Sequence, residues 1–235
     1  MVQLDDTGII RATGARRPYV IAKAAMSLDG RIATAGGESR WITGTEARLT
    51  GHELRRRADA IVVGAGTVIA DDPALTAREN GEVSHPLRVV LDSTARTSPG
   101  AAAFSRDGRG AVLATTAAAP ETRLARFKER GVETLVLPAD ARGRLRLDEL
   151  LPALHARGVA TALVEGGGET LGAFHDADLI DEIWLFLAPI VIGGGRAAIH
   201  GAGAATLADA QRFAFDPPKT LGADVLFRGV RRERA

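Results

Sequence analysis

Several short segments carry residue types that could perform chemistry, and the most informative is LVEGGGETLGAF, Leu163 to Phe174. Glu165 and three glycines stand there between an apolar, strand-like run and a helix-like run. Glycine lets backbone N–H groups approach a pyrophosphate closely, and the positive N-terminus of a following helix attracts phosphate. A tight turn explains the same glycines. Gly166 and Gly168 match the start of the dinucleotide fingerprint, but Leu171 replaces its third glycine, so both interpretations stay open.

A second candidate segment is GTVIADDPALTAR, which contains Thr67, Asp71, Asp72 and Arg78. A hydroxyl, two carboxylates and a guanidinium within one short predicted loop suit a polyhydroxylated substrate that bears a phosphate. The alternative is structural, with Asp72 and Pro73 starting a turn and Arg78 a solvated charge. The spacing alone does not decide between the two.

Two further segments offer polar groups next to predicted strands. Lys23 lies inside an apolar strand, where an ammonium must be paired or face a cleft, unless the strand is an edge from which the side chain reaches water. Ser93, Thr94 and Arg96 follow another strand. They suit the 2′-phosphate that distinguishes NADPH from NADH, or only a capped turn. Trp41, one of two tryptophans, could simply be a core residue.

The elements that must position these groups alternate between strand and helix. The apolar run Tyr19–Met26 predicts a buried strand, and Thr43 and Glu46 have the spacing of a capping box at the start of a helix. Pro120 predicts the start of a later helix. This alternation indicates an α/β fold with a mostly parallel central sheet covered on both faces. Residues 210–230 differ and predict a C-terminal antiparallel hairpin at the sheet edge.

Composition narrows the class of protein. The chain has 30 Lys and Arg against 29 Asp and Glu, so no net field attracts it to nucleic acid or to an anionic membrane. It has no cysteine, and its histidines lie too far apart for common ligand spacings, so no metal site is predicted. We find no signal-peptide pattern and expect a cytoplasmic protein. Residues 1–17 are expected to form a flexible arm, and 18–235 a single reductase domain.

The ordered motifs of this chain resemble one family, the reductase domain of the bifunctional riboflavin-biosynthesis deaminase/reductase. They are KAAMSLDGRIAT, GGESRWIT, HELRRRADAIVVGAGTVIADDPALTAR, PLRVVLDS, LVEGGGETLGAF and DEIWLFLAPIVIGGG, between about Arg17 and about Arg228. The resemblance implies a dihydrofolate-reductase-like, three-layer αβα fold. It also implies NADPH-dependent reduction of the ribosyl group of 5-amino-6-(5-phosphoribosylamino)uracil to a ribityl group, with hydride transfer to C1′.

The resemblance also implies which residues form the site. Those assigned to the cofactor are Ala25, Trp41, Thr67, Asp71, Ser93, Gly167, Gly168, Glu169, Thr170, Leu171, Gly172 and Ala173. Those assigned to the substrate are Ser39, Leu75, Arg78 and Glu165. Lys23 and Asp71 lie where they could polarise the ribose or relay a proton, and with Glu165 they make up the predicted catalytic set.

The chain departs from the bifunctional pattern because the deaminase half needs a His/Cys/Cys zinc site, and this chain has no cysteine. We therefore expect a stand-alone reductase. Its substrate would be the aminouracil or, before deamination, 2,5-diamino-6-ribosylamino-pyrimidinone phosphate. A dihydrofolate- or dihydropterin-type reductase is a second hypothesis, and a non-catalytic nucleotide-binding module is a third. Relatives in the family are commonly dimers, so we expect a homodimer without nucleic-acid or membrane partners.

Overall fold

A computed structural model describes residues 16–79 and 81–232. The predicted N-terminal arm therefore lies almost entirely outside the described residues. Apart from N-terminal residues, the chain clusters into a first unit, Val20–Gly51 with Val164–Ala235, and a second unit, His52–Leu163. A single reductase domain over 18–235 stays a prediction.

Five α-helices lie in the described part of the chain: α1 (Thr45–Arg57), α2 (Ala65–Asp71), α3 (Glu121–Glu129), α4 (Leu147–His155) and α5 (Gly168–Asp176). The start of α3 is as predicted, because Pro120 is its N-cap residue. The start of α1 differs from the predicted capping box. The helix begins at Thr45, and the N–H of the preceding Gly44 donates to the Asp224 carboxylate at 2.6 Å.

The described part of the chain also contains fourteen strands. In chain order they are β1 (Tyr19–Ser27), β2 (Arg31–Thr34), β3 (Ala60–Gly64), β4 (Ala77–Glu79), β5 (Glu82–Ser84), β6 (Leu87–Leu91), β7 (Ala111–Thr116), β8 (Glu133–Leu137), β9 (Thr161–Val164), β10 (Glu182–Ala188), β11 (Gly195–Ala197), β12 (Phe213–Phe215), β13 (Lys219–Leu221) and β14 (Asp224–Arg231).

The sheet of the second unit has the strand order β9-β3-β6-β7-β8. The pairs β3–β6, β6–β7 and β7–β8 are all parallel. The strands β3 and β9 consist almost entirely of buried residues, most of them apolar, as expected for parallel strands that are covered on both faces. The predicted parallel sheet is therefore confirmed.

The sheet of the first unit has the order β12-β14-β10-β1. Strands β1 and β10 are parallel, whereas β14 is antiparallel to both β10 and β12. Strand β10 ends at Ala188 because the following Pro189 has no N–H to donate to a ladder. The antiparallel C-terminal part is confirmed, with the short strand β13 as an addition that also pairs with β14.

Two glycines of α5 are explained by close packing inside the first unit. A Cβ atom on Gly168 would lie 2.1 Å from the carbonyl oxygen of Ala197, and one on Gly172 would lie 2.0 Å from that of His200. Both distances are shorter than any normal contact. These glycines let the helix touch the backbone of the segment at 197–201, which is a structural reason for two residues that the family resemblance assigns to the cofactor.

Replacing Gly172 with Ala is expected to lower the free energy of unfolding by about 1–3 kcal/mol, because the backbone must move to admit the methyl group. The matched control is Gly66→Ala in α2, where an added Cβ would meet nothing within 4 Å. That control should be neutral or stabilising by up to about 1 kcal/mol. Urea unfolding of both variants measures the difference, and equal stabilities would contradict the close packing.

Candidate active site

Lys23 and Ala25 lie on β1, where they pair in register with Trp184 and Phe186 of β10. The ammonium of Lys23 lies 5.5 Å from the centroid of the Phe186 ring, within range of a cation–π contact. A Cβ on Gly51 of α1 would lie 3.8 Å from Lys23 Nζ, so the helix backbone also covers this side chain. Lys23 is half-buried, and its ammonium lies near an aromatic ring, unlike that of a lysine that simply extends into water.

Ser39 and Trp41 lie in the segment that leads into α1. The side chain of Trp41 is 71% exposed, so the alternative that it is a core residue is wrong. The guanidinium of Arg48 lies 4.7 Å from the centroid of its ring. An exposed indole of this kind is available for contact with a planar ligand.

Glu165 is the first residue after β9 and is half-buried. The turn that follows leads into α5, whose N-cap residue is Gly167. Because glycine has no side chain, it does not itself cover the positive end of the helix. The backbone N–H groups at this end of the helix suit a phosphate group of a dinucleotide. The first unit contains the predicted site residues Lys23, Ala25, Ser39, Trp41 and Glu165, and the turn that leads into α5.

The prediction of a single loop is wrong for Thr67 and Asp71, which lie four residues apart in α2 and therefore on one face of that helix. The neighbouring Asp72 has a different role. It ends the helix in a left-handed conformation with φ of 40°, and its Oδ1 accepts the N–H of Ala102 at 2.7 Å. Of the two adjacent acids, Asp72 is structural, whereas Asp71 keeps its place as a site candidate.

Leu75 and Arg78 lie in a segment that is hydrogen-bonded to the second half of α1. The carbonyl of Thr76 accepts from Arg55 Nη1 at 3.1 Å, and the N–H of Arg78 donates to His52 Nδ1 at 3.3 Å. Leu75 is buried with φ of 53°, a left-handed conformation that costs a non-glycine residue about 1–3 kcal/mol. Such strain clusters at functional sites, so it supports a role for this segment.

His52 and Arg55 were not singled out from the sequence. The available signal was their spacing of three residues within HELRRR, which places them on one face of α1. A solvated helix face has the same pattern, so only their contacts with the segment at 75–78 reveal the difference.

Ser93 lies in a tightly bonded turn after β6. Its Oγ accepts the N–H of Leu145 at 3.1 Å, so its hydroxyl proton can still be donated to a ligand. The buried Asp92 braces the turn by accepting the N–H of Thr97 at 2.7 Å. Arg96 Nε lies 3.8 Å from Asp92 Oδ1, with the Arg96 side chain 61% exposed. A hydroxyl donor and an exposed guanidinium in the same turn fit a phosphate.

Asp29, which was not singled out either, joins the β1–β2 turn to the glycine-rich segment IVIGGG at residues 190–195. It accepts hydrogen bonds from the Ser27 hydroxyl at 2.6 Å, the Ile192 N–H at 3.0 Å and the Gly193 N–H at 2.8 Å. These bonds, with that of Ser27 the strongest influence, lower the pKa of Asp29 to about 2. The ionised carboxylate therefore fixes the loop that begins at Ile192.

Replacing Asp29 with Asn should remove a pH-dependent part of the stability. The folded-state pKa lies below the ordinary value of 3.8, so this stabilisation is fully present above about pH 4 and is lost as the pH falls through 2. The difference in unfolding free energy between wild type and variant should therefore shrink as the pH falls from about 4 to about 2. Urea titrations between pH 2 and pH 5 measure it, with Glu129→Gln as a control for an exposed carboxylate. A difference that does not vary with pH would contradict the prediction.

Two further properties concern the described residues as a set. No group of three or more His, Asp or Glu side chains among them could hold a metal ion. None of their helices is both long and apolar enough to cross a membrane.

The sequence is similar to known reductases along most of its length. A 2,5-diamino-6-ribosylamino-4(3H)-pyrimidinone 5′-phosphate reductase of Methanothermobacter thermautotrophicus is 40% identical over 214 residues, which cover 89% of this chain and 96% of that protein. The riboflavin biosynthesis protein RibD of Bacillus amyloliquefaciens is 38% identical over 216 residues. That match covers 91% of this chain but 57% of RibD, so the chain spans little more than half of that relative.

Solved structures agree with these matches. RibD of Acinetobacter baumannii aligns with a TM-score of 0.80 at 29% identity, over 97% of this chain and 61% of that one. Dihydrofolate reductase of Enterococcus faecalis aligns with a TM-score of 0.50 at 11% identity, over 92% of this chain and 97% of that one, a likeness of fold alone. The predicted dihydrofolate-reductase-like α/β fold is confirmed. The model of the RibD C-terminal domain matches residues 18–227, and the chain belongs to that family.

Proposed function

We propose that this protein is an NADPH-dependent reductase of riboflavin biosynthesis that reduces the ribosyl group of 5-amino-6-(5-phosphoribosylamino)uracil to a ribityl group. The observation that carries the proposal is the match along 96% of an archaeal protein named as a ribosylamino-pyrimidinone 5′-phosphate reductase. The polar groups of both units support it, because they suit a phosphorylated substrate and a dinucleotide.

NADPH, when bound, supplies the hydride that is transferred to C1′ of the sugar. The residues of the chain bind and orient it. The hydroxyl of Ser93 and the guanidinium of Arg96 suit the 2′-phosphate, and this pair would favour NADPH over NADH. The N-terminus of α5 suits the pyrophosphate, and the exposed indole of Trp41 suits a planar ring of the cofactor.

The substrate requires a phosphate site, contacts to the sugar and a source of protons. Arg78 suits the phosphate, and Ser39 suits a sugar hydroxyl or the base. Reduction at C1′ consumes one hydride and one proton, and opening of the sugar ring leaves the ring oxygen as a hydroxyl. Lys23 and Asp71 are the groups that we assign to this proton transfer, and Glu165 is assigned to the substrate.

A second candidate substrate is the corresponding compound before deamination, 2,5-diamino-6-ribosylamino-pyrimidinone 5′-phosphate. The specific observation in its favour is that the archaeal relative of similar length carries this substrate in its name. Both compounds share the phosphoribosylamino group and differ on the pyrimidine ring, so the residues assigned to phosphate and ribose are the same for both.

The experiment that tests the proposal mixes the purified protein with NADPH and each pyrimidine in turn and follows absorbance at 340 nm. We expect oxidation of NADPH with at least one of the two, and a slower rate with NADH. Oxidation with dihydrofolate alone would assign the protein to the pterin reductases. Binding of NADPH without turnover of any substrate would indicate a non-catalytic nucleotide-binding module.

We also propose a cytoplasmic homodimer. In the first unit, Leu28 is 64% exposed, Ile190 42% and Val191 72%. The N–H of Leu28 donates to the Ile190 carbonyl at 2.8 Å, so these exposed apolar residues lie on adjacent segments. Light scattering should give the mass of two chains, and Val191→Asp should shift it towards one. A monomeric wild type would contradict the dimer.

A further inference from the structure

The segment from Ser39 to Gly44, here called the Trp41 segment, is anchored where it enters α1. The N–H of Gly44 donates to Asp224 Oδ2 at 2.6 Å, and Asp224 is buried at the start of β14. The preceding carbonyl, that of Thr43, accepts from Arg48 Nη1 at 2.8 Å. Two side chains from later parts of the first unit therefore fix the end of a segment whose indole is exposed.

Arg48 makes three contacts through its planar guanidinium. Its Nη1 bonds to the Thr43 carbonyl, its Nη2 donates to Thr45 Oγ1 at 3.0 Å, and its guanidinium carbon lies 4.7 Å from the centroid of the Trp41 ring. A guanidinium can bond through its edge and stack through its face at the same time, which an ammonium cannot do. Because Arg48 lies in the first turns of α1, the support under the indole is rigid.

An exposed indole without support samples several rotamers, and a ligand that binds it must restrict them. That restriction reduces the binding free energy, whereas an indole that is already held loses less on binding. We infer that Arg48 is a positioning residue, which holds the Trp41 indole ready for a planar ring of the nicotinamide cofactor. This inference rests on the proposed function, since it deepens the role of Trp41.

A different account of Arg48 is that it only adds positive charge near the cofactor phosphates. Arg40 provides the matched comparison, because its guanidinium also lies over the Trp41 ring but at 6.0 Å. A general charge effect predicts equal losses from Arg40→Ala and Arg48→Ala, and positioning predicts a larger loss from Arg48→Ala.

The test is a double-mutant cycle on the whole chain, with NADPH affinity measured by calorimetry for wild type, R48A, W41A and R48A/W41A. We expect R48A to raise the NADPH Kd about five- to tenfold, the effect of losing a cation–π contact and the order that it imposes. In the W41A background the same substitution should change Kd by less than about twofold, because its partner is gone. R48K should recover only part of the affinity, since it restores charge without the stacked plane.

A second measurement needs no cofactor. Acrylamide quenching of tryptophan fluorescence reports the exposed Trp41, because Trp184 is buried. R48A should increase the quenching of the cofactor-free protein, and R40A should change it less. Equal losses of affinity from R48A in both backgrounds, or unchanged quenching, would overturn the inference. A wild type that does not bind NADPH would instead refute the proposed function, and the quenching result would still test the support of the indole by Arg48.

Discussion

Replacing Glu165 with Gln is expected to lower kcat by about 100-fold or more and to change the Kd for NADPH by less than about twofold. The carboxylate stands directly after β9, before the turn that leads into α5, and is half-buried there. Gln keeps the size of the side chain and removes the negative charge. An interaction with the reacting sugar would then be lost, whereas the helix end assigned to the cofactor would remain.

Kinetics at saturating NADPH and a separate binding titration measure the two effects. Glu121→Gln is the control, because Glu121 is an exposed carboxylate in the first turn of α3. Unchanged turnover would mean that Glu165 is structural and that its assignment to the substrate is wrong. A parallel loss of NADPH affinity would mean that Glu165 supports the glycine turn instead.

Replacing Arg88 with Leu is expected to lower the free energy of unfolding by about 3–5 kcal/mol. Arg88 is fully buried in β6, an unusual place for a charge. Its guanidinium donates to the carbonyls of Gly110 at 3.2 Å, Ser105 at 2.6 Å and Asp107 at 2.7 Å, and to the Ser105 hydroxyl at 2.6 Å. Burial lowers the pKa of Arg88, although the charge of Asp107 opposes this effect.

The expected loss is large because Leu would leave several backbone carbonyls without the donor that now satisfies them. The control is Arg109→Leu, since Arg109 forms an ion pair with Asp59 at 3.3 Å and its side chain is 43% exposed. Such a pair contributes up to about 1 kcal/mol. Urea unfolding monitored by circular dichroism gives both values. Similar losses for the two variants would show that the buried hydrogen bonds of Arg88 contribute little.

The sequence predicted the elements well where the pattern is local. The run from Tyr19 to Met26 became β1, and Pro120 came directly before α3, because apolar periodicity and proline act on the nearest turns. The start of α1 was predicted less well, since its Gly44 N–H is satisfied by Asp224, a residue far along the chain. Trp41 was open to a core interpretation, because an aromatic side chain does not reveal its own exposure.

The site residues also divide into those that the sequence identifies and those that only the structure reveals. Lys23, Asp71 and Glu165 could be named in advance because they stand inside ordered motifs of one family, and their catalytic roles stay predictions. His52 and Arg55 could not be named, because basic residues on a helix have one pattern whether they face water or bind the segment at 75–78. Arg48 escaped notice for the same reason.

The sequence by itself determined the family, the alternation of the longer strands and helices, and the antiparallel C-terminal part, since these depend on motifs and periodicities that are contiguous in the chain. Only the tertiary structure revealed that Asp29 binds the N–H groups of Ile192 and Gly193, that Arg88 is buried, and that Gly172 lies against the backbone of His200. Each of these contacts joins residues that are far apart in sequence or depends on how much surface the surrounding elements cover. Composition and spacing do not contain that information, because burial and hydrogen-bond partners are set by packing.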